Sequence, residues 1–378
     1  MKLPVRLYVG EHYREPSLYT HVDILFPFWG VAAKDSMPYV KAAVEQFQYS
    51  KDDFELVSRI EDADYVLVPY HYDRLKAANP ERLAMIIREA QEAHKPLLID
   101  GAGDLEPHID IPNSVVMRVS RYQYSVSPNE VTLPFPTEDL LMRYREGKLV
   151  LRKKTQVPSV GFTGWAAQSG VAKLKTWIKE LPVTTRALLD AKRGAEHKGI
   201  LFRAQALAAL KNSSRVIANV TARSTYSGHT KTMSGEAHDI RKEFVDALDG
   251  SDYALCVRGD ANASVRFYEA LSLGRIPLFL DTACVLPCEN KIDYRSFCVF
   301  VDWKDTDRIA DKLADFHASI SEEQFETMQR AARTAYEKHL RIDAFSHELA
   351  DMLSKTDGFL QAEGSIVESV SWKQSQKS

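Results

Sequence analysis

Short apolar runs alternate with amphipathic stretches through the first third of the chain. Val5–Val9, Tyr65-Val66-Leu67-Val68-Pro69, Leu97-Leu98-Ile99 closing on Asp100, and Val115–Val119 are compact enough to be buried strands. Between them, Met37–Tyr49 and Pro80–His94 carry helical periodicity, the second with proline in its first turn. Val22–Phe26 is expected as a further strand. Strands and helices in this order predict a parallel sheet covered by helices. Leu133-Pro134-Phe135-Pro136-Thr137 interrupts the pattern. The basic stretch after it, with Arg143, Arg145, Lys148 and Arg152-Lys153-Lys154, reads as a solvated linker.

The alternation then resumes. Ser159–Trp165 reads as a strand entering a glycine-containing turn, and Val171–Glu180 and Gly199–Leu210 as helices. Arg215–Val220 is a strand, Glu236–Leu248 an amphipathic helix and Tyr253–Val257 a strand. Ser264–Leu273 is a helix closed by Gly274, followed by strands Ile276–Leu280 and Phe297–Val301. Asp307–His317, Glu322–Leu340 and Asp343–Leu353 are helical. The expected fold class is α/β, with two Rossmann-like doubly wound domains, residues 1–150 and 151–355, and an interdomain cleft. Residues 356–378 are expected to be a flexible tail.

Composition narrows the classes. The 378 residues are 45% hydrophobic and 27% charged, as in a soluble globular protein. A net charge of −3 gives no basic footprint for nucleic acid. The N-terminus lacks a signal-peptide pattern and no run approaches a membrane span, so a cytoplasmic location is expected. Peripheral association with the inner face of the membrane stays open. All four cysteines lie between Cys256 and Cys298. Their spacing suits zinc poorly, and they read as reduced structural thiols rather than a metal site or a disulfide.

The chemistry concentrates in residues 256–277. Cys256-Val257-Arg258-Gly259 reads as a strand end, and Ser264-Val265-Arg266-Phe267-Tyr268-Glu269-Ala270-Leu271 as the following helix. Arg258 could grip a diphosphate with two parallel bonds. Gly259 permits close backbone approach, and Asn262 or Ser264 could cap the helix whose free N–H groups favour an anion. Arg266 lies in the first turn beside the same phosphates. Glu269, on an otherwise apolar stretch, is either the ion-pair partner of Arg266 or an acceptor for ribose hydroxyls. Gly164, in Gly161-Phe162-Thr163-Gly164, and Arg241 are further candidate phosphate contacts, each with a plain reading as an ordinary turn and a surface charge. Together they point to a nucleotide-sugar pocket.

The segments Arg241-Lys242-Glu243-Phe244, Ser251–Gly259, Ser264–Leu271, Gly274-Arg275-Ile276-Pro277-Leu278, Leu286-Pro287 and Ile292-Asp293-Tyr294 resemble, in order and spacing, the donor-site signature of the exostosin-like (family 47) glycosyltransferases. Two positions depart from it: Val257 stands for the usual proline, and Asp260-Ala261 for a glycine-rich pair. The resemblance implies a GT-B fold, an inverting mechanism, a nucleotide-diphosphate sugar as co-substrate, no required metal or other cofactor, and a glycan or glycolipid acceptor. A role in surface polysaccharide or lipopolysaccharide synthesis is the expectation. A catalytically inactive nucleotide-sugar-binding protein and a GT-B-shaped epimerase are the alternatives.

Inverting transfer needs one base for the acceptor hydroxyl. The candidates end strands of the first unit: Asp100, Asp104 four residues on, His71 and Asp73, with His21 and Asp23 further outside.

Overall fold

Two all-parallel sheets account for the strands of the computed structural model, which describes residues 3–31, 38–103, 108–166, 170–223 and 237–355. The first sheet comprises β1 (Val5–Tyr8), β2 (Phe54–Val57), β3 (Tyr65–Leu67), β4 (Leu97–Asp100), β5 (Ser114–Arg118) and β6 (Glu130–Thr132), in the order β2-β1-β3-β4-β5-β6. The second comprises β7 (Ser159–Trp165), β8 (Ile217–Arg223), β9 (Tyr253–Cys256), β10 (Ile276–Asp281) and β11 (Val299–Asp302), in the order β11-β10-β9-β7-β8. Each order reverses once, between β1 and β3 and between β7 and β9. These are doubly wound sheets with one switch point each.

The inner strands β3, β4, β9 and β10 are apolar almost throughout because helices cover both their faces. The edge strand β8 alternates in exposure along its length, and the short edge strand β2 carries Glu55 outward. The sequence pattern misses β2 and β6, and also the helices Tyr72–Ala78 and Leu140–Tyr144.

Val22–Phe26 is not a strand. Asp23–Leu25 forms a 3-10 turn that runs into the helix Phe26–Trp29. Both sides of β1 are already taken by β2 and β3, and Pro27 has no N–H to give a ladder. The stretch expected as a solvated linker is strapped down instead. Arg145 pairs with Asp246 and Asp249, each at 2.8 Å, and Arg152 with buried Asp252 at 3.0 Å.

The last described helix, Ile342–Ser354, falls within the span assigned from sequence to the second unit, yet it packs on the first. Phe345, Leu349, Ala350 and Leu353 join Leu7, Phe54, Tyr65 and Leu98 in one core. Tyr65 Oη donates to the Leu353 carbonyl (2.9 Å), and Ser346 Oγ to Asp53 (2.6 Å). The chain therefore crosses between units twice, near residues 137–140 and again near 336–341. At the first crossing Asp139 accepts two bonds from Arg333, at 2.7 and 2.8 Å, and lies 3.7 Å from Arg341. Tyr336 Oη reaches the Thr137 carbonyl at 3.2 Å.

All four cysteines are free thiols, and three of them, Cys256, Cys284 and Cys298, are buried. No helix among the described residues is long and apolar enough to cross a membrane.

Candidate active site at the seam between the sheets

The carboxyl edges of the two sheets meet. Ser120 to Gln123, just past β5, face the residues that follow β9 and β10. Ser120 Oγ accepts the Asn262 N–H at 2.8 Å. The Arg121 carbonyl accepts from Asn262 Nδ2 (3.1 Å) and the Val285 N–H (3.2 Å). Tyr122 forms an antiparallel bridge with Cys284, and the Gln123 N–H donates to the Ala283 carbonyl at 2.8 Å. Behind this loop, buried Arg118 and Arg121 share Glu130, at 2.5 and 3.2 Å. Open parallel sheets bind ligands at this edge, where strand order reverses.

On the second-unit side, Arg258 leaves β9 and is 6% exposed. Its guanidinium donates to Tyr122 Oη, to the Ala195 carbonyl (3.1 Å) and to the Asp260 carbonyl (2.6 Å). It thus clamps its own loop and the seam, and Nε is the buried N–H left over. The adjacent Gly259 holds the loop closed by donating to the Ala263 carbonyl at 3.1 Å. A Cβ on Gly199, at the start of the helix Gly199–Asn212, would stand 2.2 and 2.4 Å from the Arg258 and Gly259 carbonyl oxygens. Only a glycine lets that helix approach so closely.

Arg266 lies in the first turn of the helix Val265–Ser272. Its guanidinium covers the Phe162 ring at 4.2 Å and donates to the Thr163 carbonyl at 2.8 Å. The pairing leans on Gly164, whose φ is +154° and where a Cβ would meet Arg266 Nη2 at 2.8 Å. Gly164 therefore makes room for Arg266 at the carboxyl end of β7. Arg203, which the sequence reading missed, joins them by donating to the Trp165 carbonyl at 3.3 Å. A Cβ on Gly259 would lie 3.7 Å from Arg203 Nη2. The one sequence signal for Arg203 was Gly199 opening its helix, a residue that implies a close neighbour.

Glu269 pairs with Arg241 at 2.6 Å, and Arg241 also donates to Glu138 at 2.6 Å. Both carboxylates are almost wholly buried. Although burial works against its charge, these two partners raise the Arg241 pKa. The residue expected as a surface charge is the centre of a buried network. Asn262 is not the helix cap. It is 1% exposed, donates to the Arg121 and Thr282 carbonyls and accepts from Thr282 Oγ1 at 2.6 Å. Ser264 is the N-cap, but its hydroxyl makes no capping bond; its carbonyl accepts the Phe267 N–H at 3.0 Å.

On the first-unit side, His71 follows β3 and Asp100 ends β4. His71 Nδ1 lies 3.2 Å from Asp100 Oδ1, off the line of a good hydrogen bond. Asp100 Oδ1 also accepts the Ala102 N–H at 2.8 Å. The His71 side chain is 23% exposed against 7% for Asp100, so the imidazole is the outer member of the pair. The Asp100 charge raises the His71 pKa against the effect of burial. Asp23 adds a third member: burial and then the Asp100 charge push its carboxyl up to about 6, while His71 works the other way. Asp73 points to solvent on the helix Tyr72–Ala78. His21 is tied to the Gly30 carbonyl at 2.7 Å. Asp104 lies outside the described residues. Among those residues, no group of three His, Cys, Asp or Glu side chains is placed to hold a metal ion.

Two doubly wound parallel units with opposed carboxyl edges have the architecture of the GT-B fold. The exostosin GT47 domain matches residues 120–315, just over half of the chain, and the chain belongs to that family. Exostosin-1 of Drosophila melanogaster is 31% identical over 99 residues, 26% of this chain. The match spans 12% of that relative's length. Two solved structures resemble the fold at 10% identity. They are TarM, over 74% of this chain and 58% of its own with a TM-score of 0.31, and the GtfA/B complex bound to UDP and GlcNAc, over 78% and 57% with a TM-score of 0.27.

Proposed function

We propose that the protein moves a sugar from a nucleotide-diphosphate donor to a hydroxyl of a glycan or glycolipid acceptor, with inversion, in surface polysaccharide or lipopolysaccharide synthesis. One observation carries this reading. A His–Asp pair lies at the carboxyl edge of one sheet, and Arg266, at the start of the helix Val265–Ser272, lies at the carboxyl edge of the other.

The acceptor oxygen attacks the anomeric carbon as the bond to the donor diphosphate breaks. The diphosphate leaves with the electron pair, and the acceptor proton passes to a base. His71 is that base, with Asp100 orienting the ring and stabilising its charged form. Arg266, Arg203 and the first N–H groups of the helix Val265–Ser272 meet the charge growing on the diphosphate. Arg258 holds their loop in place. Glu269, fixed by Arg241, accepts from the ribose hydroxyls. In this scheme the cations do the work of a metal, so neither metal nor organic cofactor is required.

The test is a panel of uridine-, guanosine- and cytidine-linked sugars with the purified chain, read by nucleotide release and by mass of the extended acceptor. Turnover with one donor in the presence of EDTA, lost in Arg266→Ala and His71→Asn, supports the scheme. Nucleotide binding without turnover assigns the protein to the inactive nucleotide-sugar-binding class. Epimerised donor without acceptor extension assigns it to the epimerases.

A further inference from the structure

The helix Gly170–Leu189 presents an outer surface that nothing among the described residues covers. Four described positions, Thr176, Glu180, Val183 and Ala187, turn toward the domain, at the spacing of one helix face. Opposite them stand Ile178, Leu181, Pro182 and Leu189 around exposed Thr185, with Trp177 and Leu188 along one side. The five large apolar side chains among these range from 43% exposed at Leu181 to 88% at Leu189. A helix on a water-facing surface ordinarily reverses this arrangement, with charge outward. Contiguous exposed apolar surface of this kind marks a docking site.

The border of this face is cationic. Lys175, Lys179 and Arg186 fall together along one flank, one turn and two turns apart, and all three are exposed. Lys175 and Lys179 have no ionic partner among the described residues, whereas Arg186 pairs with Glu196 at 3.4 Å. The one acidic residue of the helix, Glu180, is buried and spent on His197 (2.8 Å) and the Lys198 N–H (3.0 Å). Apolar side chains including a tryptophan, flanked by lysines, with the nearby carboxylate of Asp190 facing Lys192 and Arg193, complement a surface that is apolar within and negative at its rim. That is the interface of an anionic bilayer. A second copy of this helix would bring the same lysines, while its Asp190 already faces its own Lys192 and Arg193.

We propose that the outer face of Gly170–Leu189 is the docking surface for an anionic lipid bilayer, with Trp177, Ile178, Leu181, Leu188 and Leu189 entering the interface and Lys175 and Lys179 meeting the headgroups. The site lies on the second unit and is separate from the seam. It would bring the cleft to acceptors carried at a membrane surface, and it stands whatever sugar the enzyme transfers.

The test is co-sedimentation of the full chain with phosphatidylcholine vesicles, with and without about one-third phosphatidylglycerol. Partitioning about tenfold stronger into the anionic vesicles, and weakening as salt rises, is the expected result. Leu188→Glu with Leu189→Glu should abolish it, and Lys175→Glu with Lys179→Glu should remove its dependence on phosphatidylglycerol. All four side chains are exposed, so thermal midpoints should stay unchanged, and a circular dichroism melt checks this. Absence of binding to anionic vesicles at low salt overturns the proposal, as does equal binding by the variants. Light scattering that shows a dimer dissolved by the Leu188 and Leu189 changes also overturns it, by assigning the face to a second copy.

Discussion

His71 stands in front of Asp100, with Nδ1 3.2 Å from Oδ1 and the imidazole turned outward. The carboxylate raises the imidazole's pKa above its ordinary value near 6.5. A base works only when neutral, so turnover should rise with pH through a midpoint above that value. Asp100→Asn removes the charge that raises the pKa. It should move the midpoint to lower pH and reduce the plateau, whereas His71→Asn should lower the plateau about 10²–10⁴-fold and remove the midpoint. A pH–rate profile of the three proteins checks both statements. An unmoved midpoint in Asp100→Asn would remove Asp100 from the role.

The same cluster makes stability fall as pH rises. Asp23 goes from an ordinary 3.8 to about 6 on folding, so the folded state resists its ionisation. That penalty is absent below the unfolded value and complete above the folded one. His71, raised on folding, adds stability below its unfolded value and loses it as pH climbs through the folded one. Both signs agree, so this cluster on its own favours mild acid. Asp23→Asn should stabilise at neutral pH by on the order of 1–2 kcal/mol and flatten the slope between about pH 4 and 6. Urea melts across pH decide it.

Arg241 serves two buried carboxylates at once, each at 2.6 Å. Arg241→Met leaves Glu269 unpaired beside Glu138, which keeps only Arg143 at 3.3 Å. A loss of about 3 kcal/mol is expected, the lower end of what breaking a buried pair costs. Glu269→Gln leaves Arg241 with Glu138 and should cost less stability while weakening nucleotide binding. Denaturant melts and a nucleotide titration separate the structural cost from the functional one.

Two glycines near the site should respond differently to alanine. At Gly199 the new Cβ strikes backbone carbonyls at 2.2 and 2.4 Å, which cannot step aside without moving the Arg258 loop. Gly199→Ala should therefore lose several kcal/mol, about the range of severe overpacking. At Gly164 the Cβ meets the end of the Arg266 side chain at 2.8 Å. That guanidinium can swing away, so Gly164→Ala should lose less stability and more donor affinity. Thermal shift with and without nucleotide resolves the two.

What the sequence made legible was local. Tyr65–Val68 and Tyr253–Val257 are apolar enough to be buried parallel strands wherever they occur, and the block from Arg258 to Glu269 carries its own order. β2 escaped because Phe54-Glu55-Leu56-Val57 is a short edge strand set among charges. Arg241, Glu138, Asp139 and Asn262 were misread or passed over for a different reason. Their partners lie from 20 to 194 residues away, and no local pattern says that a polar side chain will be buried. The helix Ile342–Ser354 was read correctly as a helix and placed with the wrong unit, since an amphipathic stripe does not name the core it will cover.

The two passages of the chain between its halves come together at one carboxylate, Asp139, which sits on the outbound segment and takes its bonds from Arg333 and its near contact from Arg341 on the return. The halves therefore share an anchor at Asp139 as well as a seam at Ser120–Gln123, and Asp139→Asn would take the charge from both passages at once.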